Sequence, residues 1–232
     1  MSYLLRLVLP DRPGALGAVA TALGRSGIDI ASIAIVERGD TGAVDDLIVM
    51  LPPGGLADTV VTAAQSVPGV QVESLRPFLD GGSGIQDDLQ LVDAMAARPD
   101  ESLELLTDLV AGVFHADWSV LLEWVGPDDV RVLEASGGAP SLGGDDLATP
   151  ERIRATPPWM PLAAAARLER DDRWCPARWA DLGMELAAAP VGSPRLAILV
   201  GRPGGPTFRA SEVDRLGHLA GIAATVARNA DT

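Results

Sequence analysis

The first residues whose types and spacing suggest chemistry are Asp11, Arg12, Pro13 and Gly14, which precede a segment with helical spacing. The sequence predicts Pro13 at the first helical position, where its missing N–H is not needed and its fixed φ fits. Gly14 leaves the backbone open to the approach of a small molecule. The free N–H groups of a first helical turn, with the helix dipole, favour an anionic group such as a carboxylate. This turn is therefore the first candidate ligand site.

The other reactive side chains form no recognisable catalytic or metal motif. His115 and His218 have no Cys or His partner at metal-ligand spacing, so we predict structural roles for both and no metal site. Cys175 is the single cysteine, which fits a reducing compartment, and we expect a buried or half-buried thiol without function. The sequence contains no Gly-rich phosphate loop, nucleophile elbow or Ser-His-Asp arrangement. We therefore expect a non-catalytic protein with no cofactor.

Acidic doublets and tryptophans each have a structural and a functional interpretation. The doublets are Asp87-Asp88, Asp128-Asp129, Asp145-Asp146 and Asp171-Asp172. We expect solvated loop or capping roles for them, and the alternative is a metal site. All five tryptophans lie between residues 118 and 179. Core packing is the default for such rings, whereas the alternative is that Trp159, Trp174 and Trp179 line a pocket beneath a long Gly- and Pro-rich segment.

The charge and hydropathy of the chain restrict its partners. A formal net charge of -14 over 232 residues disfavours nucleic acid and anionic membrane surfaces, because both are bound mainly through cationic side chains. Hydrophobic residues make up 47% of the chain, enough for packed cores, and no apolar run reaches transmembrane length. We expect a globular cytoplasmic protein.

Residues 1–79 are predicted to form strand, helix, strand, strand, helix and strand, the order of a ferredoxin-like βαββαβ sandwich. The predicted strands cover 3–9, 44–51, 70–76 and a segment starting at 28, and the helices follow Pro13 and cover 56–67. The apolar parity changes between Ile30 and Ile33, which predicts a bulge near Ala31-Ser32, and a hairpin turn is expected at 39–42. One face of such a sheet is not covered by its own helices, so we expect chains to pair.

The turn Asp11-Arg12-Pro13-Gly14, Leu16, the helix end at 24–27 and the strand start Ile28-Asp29-Ile30 resemble the ACT domain, a small regulatory module that binds amino acids at dimer interfaces. The resemblance implies a ligand site formed by Asp11, Arg12, Pro13, Gly14, Ala15, Leu16, Asp29 and Ile30. ACT domains often have Asn where Asp29 stands. Two carboxylates favour the ammonium group of an amino acid or a cationic side chain. The alternative is that Asp11 satisfies turn amides and Asp29 lies at a solvated strand start.

Residues 80–85 are rich in Gly and are predicted to be a flexible linker to a second domain over 86–232. Helical stripes are expected at Ile85, Leu89, Val92 and Ala96, and again over 103–113 after a cap at Asp100. Strands are expected over 119–124, 130–135, 185–191 and 195–201. A short helix is expected within 149–155, a helix over 162–168, and a terminal helix that begins near Ser211.

Helices at both ends of an antiparallel sheet with a long central insertion resemble a GAF domain, with the best match over 186–200 and 208–230. GAF modules bind small ligands such as cyclic nucleotides or chromophores, or only dimerise. Covalent chromophore sites in that family have His beside their Cys, and Cys175 has none. The resemblance implies a second pocket that includes Trp159, Asp172, Trp174 and Trp179.

The sequence thus predicts an α+β, non-catalytic homodimeric regulator. In this hypothesis the ACT-like domain senses an amino acid or similar small metabolite, and the GAF-like domain senses a second ligand or mediates association. The alternative is a ligand-free assembly protein that docks onto a separate enzyme or signalling partner. A third hypothesis is an unrecognised enzyme that uses the second-domain pocket.

Overall fold

The computed structural model describes residues 1–39, 42–78, 85–127, 129–139, 157–169, 174–175, 179 and 181–230. The chain forms two units, Met1–Ser83 and Gly84–Thr232, and each has its own antiparallel sheet. The predicted α+β class is confirmed. The predicted linker lies almost entirely outside the described residues, as do Asp128, Asp145-Asp146, Asp171-Asp172 and the helix expected within 149–155.

The first unit has the predicted order of elements. These are β1 (Ser2–Leu9), α1 (Ala15–Arg25), β2 (Asp29–Gly39), β3 (Gly42–Met50), α2 (Ala57–Gln65) and β4 (Gln71–Phe78). The strands lie in the order β2-β3-β1-β4, and all neighbours are antiparallel. This arrangement confirms the ferredoxin-like sandwich.

The core of the first unit lies between one face of the sheet and the two helices. Leu5 and Leu7 of β1 pack there with Val19 of α1 and Val60 of α2. Alternation along β1 and helical spacing along α1 and α2 produce these two facing apolar surfaces. Leu56, expected on the same stripe, is 66% exposed because α2 begins one residue later.

β2 contains the predicted bulge. Its register with β3 shifts between Ile30 and Ser32, so that Ile30 pairs with Val49 and Ile33 with Leu47. Cross-strand partners share a face of the sheet. The extra residue therefore returns Ile33 to the face that carries Ile30, which is the physical reason for the change of parity in the sequence.

α1 begins two residues later than predicted. Gly14 directly precedes it with φ of 84°, a left-handed conformation that a helix interior does not contain. The N–H of Ala15 donates to the carbonyl of Arg12 at 3.3 Å, which closes the turn. Pro13 thus lies in the turn, and its predicted place as the first helical residue is wrong.

The second unit has helices before and after an antiparallel sheet, as the resemblance to GAF domains predicts. Its elements are α3 (Ile85–Ala97), a 3-10 turn (Pro99–Glu101), α4 (Ser102–Val113), β5 (Trp118–Gly126), β6 (Asp129–Ala135), β7 (Ala166–Leu168), β8 (Glu185–Val191), β9 (Ser193–Arg202) and α5 (Ala210–Ala230). The strand order is β6-β5-β9-β8-β7. Leu106 and Ile198 belong to a core that one sheet face forms with the helices, and Leu122 and Leu199 to a core on the other face.

Three local predictions in the second unit are wrong. The buried residues of α3 are Leu91 and Met95, whereas Leu89 is 64% exposed. Asp100 does not cap α4, because the 3-10 turn places Glu101 before that helix. No helix forms over 162–168: residues 162–165 are irregular, and Ala166–Leu168 form the edge strand β7, which pairs with β8. This pairing overrides the local helical spacing.

Candidate functional site

The candidate site is the turn that connects β1 to α1. Asp11, Arg12, Pro13 and Gly14 are exposed, and the N–H of Arg12 donates to the carbonyl of Pro10 at 2.8 Å. No side chain in the described part of the chain caps α1. The first-turn N–H groups of a helix have no intrahelical acceptor. The turn thus offers backbone donors to an anionic group, as the sequence predicts.

The two charged side chains of the turn differ in their contacts. The Nη2 of Arg12 donates to the carbonyl of Pro68 at 2.9 Å, which joins the turn to the segment between α2 and β4. Asp11 has no hydrogen bond or ion pair to any residue that the structure describes. The carboxylate of Asp11 is therefore available to a ligand, while Arg12 fixes the turn.

The second part of the predicted site lies at the other end of the sheet. Asp29 is level with Met50 on β3, which is in turn level with Ser2 at the start of β1. The turn follows Leu9, seven residues along β1, which corresponds to roughly 23 Å of strand. Asp29 Oδ1 accepts a hydrogen bond from the N–H of Ile30 at 3.0 Å. Within one chain, Asp29 and Ile30 are therefore not brought beside Asp11–Leu16.

Sequence reasoning missed an acidic doublet inside β3, Asp45-Asp46. Both carboxyl-bearing residues are buried, with relative exposures of 3% and 4%. Asp46 pairs with Arg6 of β1, whose Nε and Nη2 donate to Oδ1 and Oδ2 at 2.7 Å each. Two acids within an otherwise apolar strand were the available signal, because Asp is depleted in strand interiors.

Asp45 lies on the opposite face of the sheet from Asp46. It pairs with Leu7 of β1 and Ile35 of β2, and so lies on the face that packs on α1 and α2. Its Oδ1 is buried without a hydrogen-bond partner among the described residues. Burial raises the pKa of Asp45 above its ordinary value of 3.8, Arg38 opposes this rise and the charge of Asp46 adds to it.

A separate groove lies between α1 and α2, and no predicted site residue lines it. Its volume is ≈ 480 Å³, and its lining residues are Ala22, Arg25, Ser26, Asp58, Thr59, Thr62, Ala63 and Ser66. These residues belong to the C-terminal part of α1 and to α2 rather than to the turn. The groove is open and lined by exposed polar side chains, and it gives no support to the predicted ligand site.

The predicted second-pocket tryptophans pack together on one face of the second sheet. Ring centroids of Trp159 and Trp174 are 5.5 Å apart, those of Trp174 and Trp179 6.0 Å, and those of Trp179 and Trp118 5.1 Å. Cys175 is buried in the same cluster. Gly201 leaves room for the Trp118 ring, which a Cβ would overlap. Asp172 lies outside the described residues. The indole Nε1 atoms of Trp118, Trp159 and Trp179 are buried without a partner in the described chain.

His115 has a structural place. It follows the end of α4 with φ of 49°, and its N–H donates to the carbonyl of Gly112 at 3.0 Å. Among the described residues there is no group of three or more His, Cys, Asp or Glu side chains arranged to hold a metal ion. No helix within the described ranges is long and apolar enough to cross a membrane.

Comparison with known proteins bears on each domain separately. The family model of the ACT domain matches residues 3–69, which confirms the predicted resemblance of the first domain. ACT domains are regulatory modules, so a regulatory role is consistent with this match. No significant match is found among curated proteins.

Solved structures similar to this chain include several GAF domains. One is the GAF domain/HD domain protein from Geobacter sulfurreducens, with 18% identity over 60% of this chain and 97% of that chain and a TM-score of 0.43. Another is the GAF domain of the Acinetobacter phosphoenolpyruvate-protein phosphotransferase, with 13% identity, 62% and 92% coverage and a TM-score of 0.43. An unknown protein from Galdieria sulphuraria covers 98% of this chain and 92% of its own, with 12% identity and a TM-score of 0.32.

Proposed function

We propose that this protein is a non-catalytic regulatory sensor that binds an amino acid, or a similar small metabolite, between two copies of its first domain. The observation that supports this most directly is the separation of the two parts of the predicted site. The turn at Asp11 and the strand start at Asp29 lie at opposite ends of one sheet. An amino acid is far shorter than the roughly 23 Å between them. A ligand that contacts both parts therefore needs a second chain.

The two edges of the first sheet differ in their suitability for pairing with another chain. β4 carries Glu73, Arg76 and Pro77, and such residues discourage edge pairing. β2 is an 11-residue edge strand without Pro, its charged residues Asp29, Glu37 and Arg38 lie near its two ends, and between them it exposes Ile33 (44%) and Ile35 (53%). We infer that a second copy of this chain pairs along β2.

Antiparallel pairing of β2 with its copy would complete the site. β2 runs from Asp29, level with Ser2, to Gly39, level with Gly42 on β3. The end at Gly39 is also the end where β1 leads into the turn. In an isologous pair the start of one β2 lies beside the end of the other. Asp29 of one copy thus approaches the turn of the second copy, and each dimer has two such sites.

In this proposal the ligand acts by differential binding. A ligand shifts a conformational equilibrium only by its preference for one state over another. A ligand held by the turn of one chain and Asp29 of the other favours the dimer arrangement in which both are close. The second, GAF-like domain would transmit this arrangement, sense a second ligand or add to the association.

Mixed dimers test the composite site. We expect Asp11→Ala and Asp29→Ala each to abolish the thermal shift that the best-binding amino acid gives with the wild-type chain. Co-expression of the two variants would restore one intact site in each mixed dimer, because the intact turn of one chain meets the intact Asp29 of the other. A site within one chain would not be restored by mixing.

Disruption of the β2 edge provides the matched test of the dimer. Ile33→Lys would place a charge on the pairing strand and is expected to give a monomer by light scattering, with loss of binding. The control is Leu133→Lys on the edge strand β6 of the second domain, where the side chain is 40% exposed. A dimer that persists without amino-acid binding would favour the ligand-free assembly role.

A second candidate function falls on the tryptophan cluster of the second domain. Three indole N–H groups are buried without an acceptor among the described residues, and a ligand rich in hydrogen-bond acceptors would satisfy them. All five tryptophans belong to this domain, so their fluorescence reports on it selectively. Titration with cyclic nucleotides is expected to change the emission if this domain is a sensor, and an unchanged spectrum would favour an association role.

A further inference from the structure

Asp45 is a buried carboxyl group that forms no hydrogen bond or ion pair with the residues that the structure describes. It is 3% exposed, and its Oδ1 makes no hydrogen bond to the described chain. Buried acidic side chains are normally paired, because an unpaired buried charge is costly. The neighbouring Asp46 follows this rule through Arg6. The exception at Asp45 therefore requires a reason.

The sheet register places Asp45 at the end where the candidate turn lies. β3 runs between β1 and β2, and Asp45 is level with Leu7 and Ile35. β1 ends two residues beyond Leu7, and the turn into α1 follows. Leu7 belongs to the core that packs on the helices, and cross-strand partners share a face. Asp45 thus lies on the α1 side of the sheet, between the turn and the β2 edge.

Charges of both signs meet at this end of the sheet. The start of α1 carries the positive end of a helix dipole and uncapped N–H groups. Arg38, on β2, pairs with Ala43 and so shares the face of Asp45, yet its side chain is exposed and forms no ion pair with Asp45. The start of α1 and Arg38 attract anions at this end of the sheet, and the carboxylate of Asp45 is a buried negative group among them.

We propose that Asp45 binds the ammonium group of the ligand, while the first turn of α1 binds its carboxylate. This inference rests on the proposed function and assigns to Asp45 the recognition of the amino group of the ligand. A charged hydrogen bond between the ammonium group and Asp45 supplies a partner that none of the described residues provides. Carboxylic acids without an amino group leave Asp45 unpaired, so the site rejects them.

The test compares one amino acid with its deaminated analogue on the full chain. The amino acid with the largest thermal shift is chosen, and its binding is measured by calorimetry beside that of the same acid without the amino group. Asp45→Asn keeps the shape of the side chain but removes the charge. Asp93→Asn, exposed on α3 in the second domain, changes the net charge equally and serves as the control.

We expect Asp45→Asn to weaken amino-acid binding at least tenfold, since a hydrogen bond to a charged group is lost. The same variant should bind the deaminated analogue at least as tightly as the wild type does, because the negative charge that disfavours this anion is removed. Asp93→Asn should match the wild type for both. Circular dichroism establishes that the variant is folded.

The other possible outcomes distinguish a failure of the role of Asp45 from a failure of the proposed function. Amino-acid binding within twofold of wild type in Asp45→Asn would overturn the role of Asp45 and leave the proposed function intact. Equal binding of the amino acid and its deaminated analogue by the wild-type chain would do the same, even if the variant fails to fold. Absence of binding by any amino acid to the wild-type chain would overturn both.

Discussion

Buried charged side chains differ in their contacts between two places: the end of the first sheet that lies next to the turn, and the junction of β9 and α5 in the second domain. Arg202 is fully buried at that junction, donates to the carbonyls of Pro206 and Phe114 and pairs with Glu212 Oε1 at 2.9 Å. Glu212 Oε2 also accepts the N–H of Arg209 at 2.8 Å. Among the residues that the structure describes, Asp45 forms no ion pair and its Oδ1 accepts no hydrogen bond. A buried charge that pairs with a counter-ion stabilises the fold around it, whereas a buried carboxyl group without an ion pair among the described residues is a candidate for binding a ligand.

The same contrast occurs between neighbours in one strand. Asp46 faces one side of the first sheet and receives two hydrogen bonds from Arg6. Asp45 faces the other side and is level with Leu7, which belongs to the apolar core. The alternation of a strand puts adjacent residues on opposite faces, so two identical side chains have different surroundings.

The largest expected effect on stability is at the buried ion pair of Arg202 and Glu212 in the second domain. Glu212→Ala would leave the buried guanidinium of Arg202 without its counter-ion and should lower the free energy of unfolding by roughly 3–5 kcal/mol. Denaturant unfolding followed by tryptophan fluorescence measures this domain. Asp214→Ala, exposed on the same helix, is the control and should cost less than about 1 kcal/mol. Equal losses for the two variants would contradict the structural role of the network.

A smaller loss of stability is expected at the ion pair of Arg6 and Asp46 in the first domain. Asp46→Asn keeps one acceptor for Arg6 but removes the charge, so the free energy of unfolding should fall by roughly 1.5–3 kcal/mol. Circular dichroism is the measurement, because the first domain contains no tryptophan. Asp45→Asn, at the next residue, should cause no loss at neutral pH. A loss at Asp45 as large as that at Asp46 would break the contrast between them.

The next largest effect on stability is expected in the backbone of the turn between β1 and α1. Gly14 has φ of 84°, so Gly14→Ala should destabilise the first domain by about 1–2 kcal/mol through backbone strain alone, because a Cβ there meets no atom within 4 Å. Gly17, three residues later in α1, is exposed and also has space for a Cβ. Gly17→Ala should therefore stabilise the helix by roughly 0.5–1 kcal/mol. Thermal unfolding of the two variants should give shifts of opposite sign.

Patterns with a local cause were predictable from the sequence. Alternation and helical spacing gave the order of elements in the first domain, and the parity change at Ile30 and Ile33 located the bulge. The start of α1 was missed because a left-handed Gly14 and a helical Gly14 have the same sequence signature. The strand at Ala166–Leu168 was missed because its pairing with β8 is not local.

The candidate site was predictable only in part, for the same reason. The turn is continuous in sequence, and its donors follow from helix geometry. The separation of Asp29 from the turn depends on sheet register, which needs the fold. Asp45 was missed because a patterned strand conceals which of two adjacent acids has a partner, although both stand out as charges between Val44 and Leu47.

The smallest expected effect is the pH dependence of stability that comes from Asp45, because Arg38 partly offsets the effect of burial on the pKa of Asp45. Burial raises the pKa of Asp45 in the folded chain, so the folded state holds this proton more tightly than the unfolded state does. The stability from Asp45 is present below its ordinary pKa of 3.8 and is lost as the pH rises through the folded-state value. Asp45→Asn removes this loss, so its stability relative to wild type should increase from pH 3 towards neutral in urea unfolding followed by circular dichroism. At neutral pH a saturating amino acid should make the wild type more stable than Asp45→Asn, since only the wild-type carboxylate gains a partner. If Asp45→Asn stayed the more stable of the two with the ligand present, the charge of Asp45 would have no part in binding.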